Sequence, residues 1–368
     1  MAVEELSGNK GEWSEPYVLF RLLADGRIYA ADENLNKLSS VYFPILKILR
    51  QEKKNKKNKD LNNIDFVVNK EKTIEVYFND NLIKTLSESE FETEADYLLE
   101  QIKAASDGTF NVERSQNFLN GLNCYCLKAY SSKKADITLQ IHDINTGYNP
   151  ICGFSIKSQL GSAASLINAD KNTNFVFEIK NLSNDQIKKI NEIVDGHKII
   201  ERMNFIKTNN GELSFYKMKS PVYTENLFYI DSFMPELLSW AVKYSYLENL
   251  TSCKEVVSLL QRRNPLHFPE NKNYYEYKFK KFLCSAALGM MPAKEWDGKD
   301  EANGGYIVVK DDGEVLAYHI YNRDKFEEYL LNNTKFERGS TSKHDFATVY
   351  EEDGKHFINL NLQIRFIK

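Results

Sequence analysis

The sequence predicts a mixed α/β protein of the α+β kind, because helix-period and strand-period segments share its 368 residues. Residues 136–143 alternate, with Ile137, Leu139 and Ile141 on one face and Asp136, Thr138, Gln140 and His142 on the other, the period of a half-buried strand. Residues 185–194 instead gather Ile187, Ile190, Ile193 and Val194 on one side of a helix. Asp312-Gly313 and Asp353-Gly354 each sit between strand-like runs and mark hairpin turns.

Taken in order, the first element is a helix that Ser14 can cap, with Pro16 in its first turn. Val18, Leu19, Leu22 and Leu23 form its buried stripe, and Gly26 ends it. Glu15 falls on that inward face, where a carboxylate needs a partner. A metal ion is one such partner; capping or pairing with Arg21 is the alternative. Residues 32–50 read as a second helix. The basic run KKNKKNK at 53–59 is either a solvated linker or a non-specific phosphate contact. A hairpin is expected at 64–69 and 73–78, a helix at 90–104, and strands at 153–158 and 174–179. The segment 223–290 is mostly helical; its basic aromatic stretch 274–281 either lines nucleic acid or is a core helix with a wet face. From Gly304 the pattern turns to β, with a hairpin, a helix at 324–332, a polar loop at 337–344 and a closing hairpin. Length suggests two domains, 1–210 and 211–368, with the boundary between 195 and 225.

Composition narrows the function classes. A hydrophobic content of 42% with 21 Tyr and 22 Phe excludes extensive disorder. No apolar run approaches the roughly 20 residues of a membrane span. The first residues lack a basic n-region and an apolar h-region, so a cytoplasmic protein is expected. The net charge of −4 argues neither for nor against nucleic acid, since positive charge can be concentrated in one cleft. The five cysteines are odd in number; Cys124 and Cys126 have no second pair at zinc spacing and read as core or strand thiols.

Chemistry concentrates around residues 135–174. A hairpin folded about Thr146-Gly147 sets Asp136 almost opposite Lys157, about 5 Å apart at Cβ. The pair is either a metal-and-lysine site for phosphodiester cleavage or a cross-strand ion pair. Beyond Lys157 come Ser158 and Gln159, the small-residue run Gly161, Ser162, Ala163, Ala164 and Ser165, then Asn168, Thr173 and Asn174. Short polar side chains and exposed N–H groups of this kind serve phosphate and base-edge contacts. Near the C-terminus Arg338, Ser340, Thr341, Lys343, His344, Gln363 and Arg365 offer further donors, Arg and Lys being the usual readers of guanine edges. For each of these the alternative is an ordinary polar surface residue.

GEWSEPYVLFRLLADGRIYAADENL, GFSIKSQLGSAASLINADKNTNF following Asp136, and the tail STSKH…LNLQIRF occur in that order from about Gly11 to the C-terminus. Together they make the chain resemble the HpaII-type type II restriction endonucleases. The resemblance implies a PD-(D/E)xK restriction-endonuclease-like core, a mixed sheet flanked by helices with its site on a central β-hairpin. Added helical and C-terminal β-hairpin parts would recognise DNA. Residue by residue, Asp136 matches the metal-binding aspartate and Lys157 the lysine, while Ser155 stands where the pattern normally has an acid. The backbone carbonyl of Ile156, together with Glu15 or Glu12 one turn earlier, is then expected to complete a Mg²⁺ site. The resemblance further implies double-stranded DNA as substrate and products with 5′-phosphate and 3′-hydroxyl ends. The target it suggests is a short GC-rich palindrome such as CCGG. A homodimer on that palindrome is expected, with a cognate DNA methyltransferase linked genetically. Two other readings differ in kind: a repair or nicking nuclease on the same fold, and, because of Ser155, a DNA-binding protein without catalysis.

Overall fold

A computed structural model describes residues 5–53, 61–106, 108–130, 135–144, 146–194 and 196–367. The chain forms two compact units. One runs to Ala164 and takes in Asp300–Phe326; the other comprises Ser165–Lys299 and Glu327–Ile367. The division falls at residues 164 and 165 rather than near 210, and the chain returns to the first unit late. That return adds a hairpin to the first unit's sheet, a long-range pairing with no local signature.

In the first unit, helix α1 (Lys10–Asp25) begins with a capping box. Asn9 accepts from the Glu12 amide, and Glu12 accepts from the Asn9 amide, each at 3.0 Å. The helix therefore starts before Ser14 and carries Pro16 inside it. The Ser14 hydroxyl is spent elsewhere, donating to the Lys10 carbonyl at 2.7 Å and hydrogen-bonded with the Ser158 hydroxyl at 2.8 Å. Gly26 ends α1 at φ 61°, the left-handed conformation that lacks a steric penalty only for glycine.

The nine-stranded sheet is built from β1 (Arg27–Ala31), β2 (Lys37–Lys53), β3 (Leu61–Val68), β4 (Thr73–Phe78), β5 (Asn81–Ser87), then, after helices α2 (Glu88–Ala104) and α3 (Glu113–Asn120), β6 (Ile137–Ile141) and β7 (Ile151–Ser158). The returning strands Gly305–Val309 and Val315–His319 complete it. Its order is β1, Val315–His319, Gly305–Val309, β7, β6, β2, β3, β4, β5, and β2 also pairs with β1, so the order returns on itself. Most pairs are antiparallel, but Gly305–Val309 lies parallel to β7 and Val315–His319 parallel to β1. Helix α1 buries Trp13, Val18, Phe20 and Leu23 completely, and the Phe20 ring meets Phe91 of α2 and Phe118 of α3.

The helix expected at 32–50 is instead the 17-residue strand β2. Its middle, Val41-Tyr42-Phe43-Pro44-Ile45, joins β-branched and aromatic residues to a proline that breaks helices. Burial of Phe43, Ile45, Ile48, Arg50 and Glu52 mixes spacings of two and three, because the ladder is irregular near Ile45 and Lys47. That irregularity imitates helical periodicity. The basic run after Lys53 lies outside the described residues.

The second unit has a four-stranded sheet ordered Glu212–Met218, Asn174–Lys180, Lys355–Asn361, Val349–Glu352. A three-stranded sheet is ordered Thr334–Phe336, Ile364–Phe366, Ser165–Ile167. Four helices fill the segment expected to be helical: Pro221–Ile230, Met234–Leu247, Cys253–Arg263 and Tyr274–Leu288. The last buries Tyr275, Phe279, Phe282 and Leu283, which favours the core-helix reading of the basic aromatic stretch.

Candidate active site

Strands β6 and β7 pair antiparallel, Ile137 opposite Phe154 and Gln140 opposite Ile151. Continued outward, this register sets Asp136 across from Ser155 rather than Lys157. The turn explains the two-residue difference. Asp143 closes it, its amide donating to the Tyr148 carbonyl at 2.9 Å and its carboxylate accepting from Thr146 Oγ1 at 2.5 Å. The fold-back thus comes earlier than Thr146-Gly147; Asn145 lies outside the described residues. The Asp136 amide donates to the Phe154 carbonyl at 2.8 Å. Its Oδ2 accepts from Ser155 Oγ at 3.0 Å and from the Ile156 amide at 2.7 Å. A Cβ on Gly153 would lie 2.8 Å from the Ala135 Cβ, so glycine permits the close approach beside Asp136.

Asp136 and Lys157 still reach the same place. They line a cavity of about 370 Å³ together with Glu12, Glu15, Lys128 and Ile156. Glu15 comes to it from α1, with 12% of its side chain exposed. Burial, reinforced by the Asp136 charge, pushes the Glu15 carboxyl up to about 8, against the pull of Lys128, Arg50 and Lys157. Arg21 is not its partner, since that guanidinium binds Asp25 at 2.6 Å. Burial likewise holds the Lys157 ammonium below its ordinary range, opposed by Asp136 and Glu15. The Lys157 Nζ sits 5.5 Å from the centre of the Tyr306 ring, carried by the neighbouring parallel strand in which Val308 stands opposite Lys157.

The other residues singled out in the sequence divide clearly. Ser155, expected in place of an acid, is 1% exposed and spends its hydroxyl on Asp136, so it orients the aspartate and does not line the cavity. Ser158 lines the cavity and bonds Ser14. The Gln159 amide is tied to the Val309 carbonyl at 2.8 Å.

The remaining candidates belong to the second unit. Asn168, Ser340 and Lys343 are exposed, and Thr341, His344 and Gln363 partly so. Thr173 and Asn174 are fully buried, which corrects their expected contact with DNA. The Asn174 amide nitrogen donates to the His344 carbonyl at 2.9 Å and to the Asp345 carbonyl at 3.1 Å. The Thr173 hydroxyl donates to the Asp170 carbonyl at 2.9 Å. Arg338 donates to Asn249 Oδ1 at 2.9 Å, and Arg365 pairs with Glu337 at 3.0 Å, so each guanidinium has a partner within the second unit.

Sequence reasoning missed Lys128 and the buried pair of Arg50 and Glu52. A lone lysine in an irregular segment carries no periodic signal. Arg50 and Glu52, two apart on one strand face, were hidden by reading that strand as a helix.

Among the described residues no three His, Cys, Asp or Glu side chains gather as a ligand set, although the carboxylates of Glu12, Glu15 and Asp136 all line the cavity. The HpaII restriction endonuclease family model matches residues 9–366. The chain belongs to the HpaII restriction endonuclease family. It is 46% identical over 367 residues to the type II restriction enzyme HpaII of Haemophilus parainfluenzae, covering 99% of both chains. No solved structure matches. As a member of this family it is a type II site-specific deoxyribonuclease acting on double-stranded DNA, and enzymes of this type generally use a divalent metal ion. No helix among the described residues is long and apolar enough to cross a membrane.

Proposed function

We propose that this HpaII-family enzyme hydrolyses DNA in its first unit at a PD-(D/E)xK-type site, with Mg²⁺ as cofactor. The supporting observation is the convergence of Glu15, Asp136 and Lys157 from helix α1, the start of β6 and strand β7 on one cavity. Two carboxylates in one cavity that Ile156 also lines suit a hard divalent cation that takes oxygen ligands and keeps its waters. When bound, the ion would polarise the scissile phosphate and acidify a water. Ser155 and the Ile156 amide fix the Asp136 carboxylate through Oδ2. Lys157 orients the attacking water and stabilises the charge that builds on the phosphoryl oxygens. Partial burial makes that interaction stronger than it would be in water.

The target proposed is CCGG, by analogy with the family, and the products carry 5′-phosphate and 3′-hydroxyl ends. Recognition is assigned to the exposed donors Asn168, Ser340 and Lys343, with Thr341, His344 and Gln363 beside them. Cutting both strands of a palindrome favours a homodimer on DNA. A methyltransferase protecting the same sequence is expected in the host, and the cytoplasm is the compartment where both would meet DNA. Digestion of methylation-free plasmid with and without Mg²⁺, followed by sequencing of the ends, tests the proposal. Discrete Mg²⁺-dependent fragments ending at CCGG are the expected result; fragments sharing another palindrome would overturn the target, and cutting without added metal would overturn the cofactor.

A further inference from the structure

Lys128 enters the cavity from an irregular segment, yet that segment is held firmly on both sides. Glu52 accepts from the Tyr125 amide at 2.7 Å and from the Cys126 amide at 3.4 Å. Arg50 donates to the Cys126 carbonyl at 2.5 Å and to Glu52 at 2.7 Å and 2.9 Å. Beyond Lys128, the Tyr130 amide donates to the Gln51 carbonyl at 2.6 Å. A buried ion pair is a weak source of stability because both charges must be desolvated. Here its hydrogen-bonding capacity is turned onto the backbone two residues before Lys128.

The lysine so presented stands 3.6 Å from Glu12 Oε1 and 3.7 Å from Glu15 Oε1, too far for short hydrogen bonds, with 56% of its side chain exposed. It is a loose ion pair, anchored at its backbone and more than half exposed along its side chain.

We propose that Lys128 is the resident counter-cation of the metal-free site: it shares Glu12 and Glu15 until a divalent cation takes Glu15, and its freed ammonium then engages a phosphate of the bound DNA. The inference rests on Glu15 being a metal ligand. Two opposite consequences follow. In the absence of DNA, Lys128 competes with metal, so removing it tightens metal binding. With DNA present the same removal weakens the complex and slows cutting, because one phosphate contact is gone.

The test is calorimetric titration of the full-length, DNA-free enzyme with Ca²⁺, comparing wild type with K128A, K128R and E15Q. The K128A variant should bind Ca²⁺ about twofold to fivefold more tightly, the scale of a partly exposed ion pair. K128R should bind like wild type, and E15Q should lose at least about tenfold. Plasmid cleavage by K128A should be slower than wild type, with K128R restoring it. Equal or weaker Ca²⁺ binding by K128A, alongside a weakened E15Q, overturns the role of Lys128 alone. Unchanged binding by E15Q overturns the assignment of Glu15 as a ligand, and with it the reading on which the inference rests.

Discussion

The cavity of the first unit and the Asn174 cluster of the second use polar groups in opposite ways. Around Asn174 the donors are consumed inside the fold: the Asn361 amide nitrogen reaches the Asp170 carbonyl at 2.8 Å, Thr173 Oγ1 at 3.0 Å and Asn174 Oδ1 at 2.7 Å. In the cavity, carboxylates and ammonium groups crowd together over longer distances, and Glu15 is held far from its ordinary ionisation. Satisfied polar groups specify a fold, whereas charged groups left short of partners in a concave site are where chemistry is done. Asn and Thr in a small-residue stretch do not tell these two uses apart in sequence; burial does.

The sharpest way to break the comparison is to remove charge from the cavity. Asp136→Asn and Lys157→Ala should each lower single-turnover plasmid cleavage by on the order of 10³-fold while leaving the thermal midpoint close to wild type. Cutting at the wild-type rate by either would move the site elsewhere. Removing an amide from the second cluster should do the reverse. Asn361→Ala leaves buried partners unpaired and should cost roughly 2–3 kcal/mol in urea unfolding, while the folded enzyme still cuts. If Asn361→Ala abolished cutting without loss of stability, the cluster would be functional after all.

A third measurement asks whether every perturbed group is catalytic. His319 lies buried on the returning strand against Phe43 and Phe154, and desolvation lowers its imidazole to about 4, with Asp143 opposing. Its folded value is thus below the ordinary 6.5, so the unfolded chain binds the extra proton between the two. Stability should fall by up to about 1.4 kcal/mol per pH unit as pH drops from 6.5 toward 4, and should be insensitive to this group above that window. His319→Phe should flatten that slope without altering cleavage at neutral pH, which urea titrations at several pH values would show. The smallest expected effect is at the exposed Lys343: Lys343→Ala should weaken DNA binding severalfold and reduce the log–log salt slope by about 1. An unchanged slope would remove Lys343 from the phosphate-contacting set.

Much of the fold was legible because its signals are local. Gly26 closes α1, the hairpin β3–β4 and helix α2 occur where periodicity placed them, and the Asp-Gly turns at 312–313 and 353–354 each join two paired strands. The failures were local conflicts. Ser14 and Pro16 looked like a helix start, but the Asn9 and Glu12 capping box is stronger and lies a turn and a half earlier. An irregular ladder gave β2 the spacing of a helix.

The sequence by itself determined the family, the helix and strand types over most of the chain, and the identity of Asp136, Lys157 and Glu15 as the groups to watch. Those depend on residue type and short-range period, which a linear reading contains. Only the tertiary structure decided the two-residue register that sets Ser155 against Asp136, the burial that closes Thr173 and Asn174, and the clamp that aims Lys128 at Glu12 and Glu15. Each of these joins residues far apart in the chain, and burial and electrostatic coupling arise only when folding brings such residues together and excludes water between them.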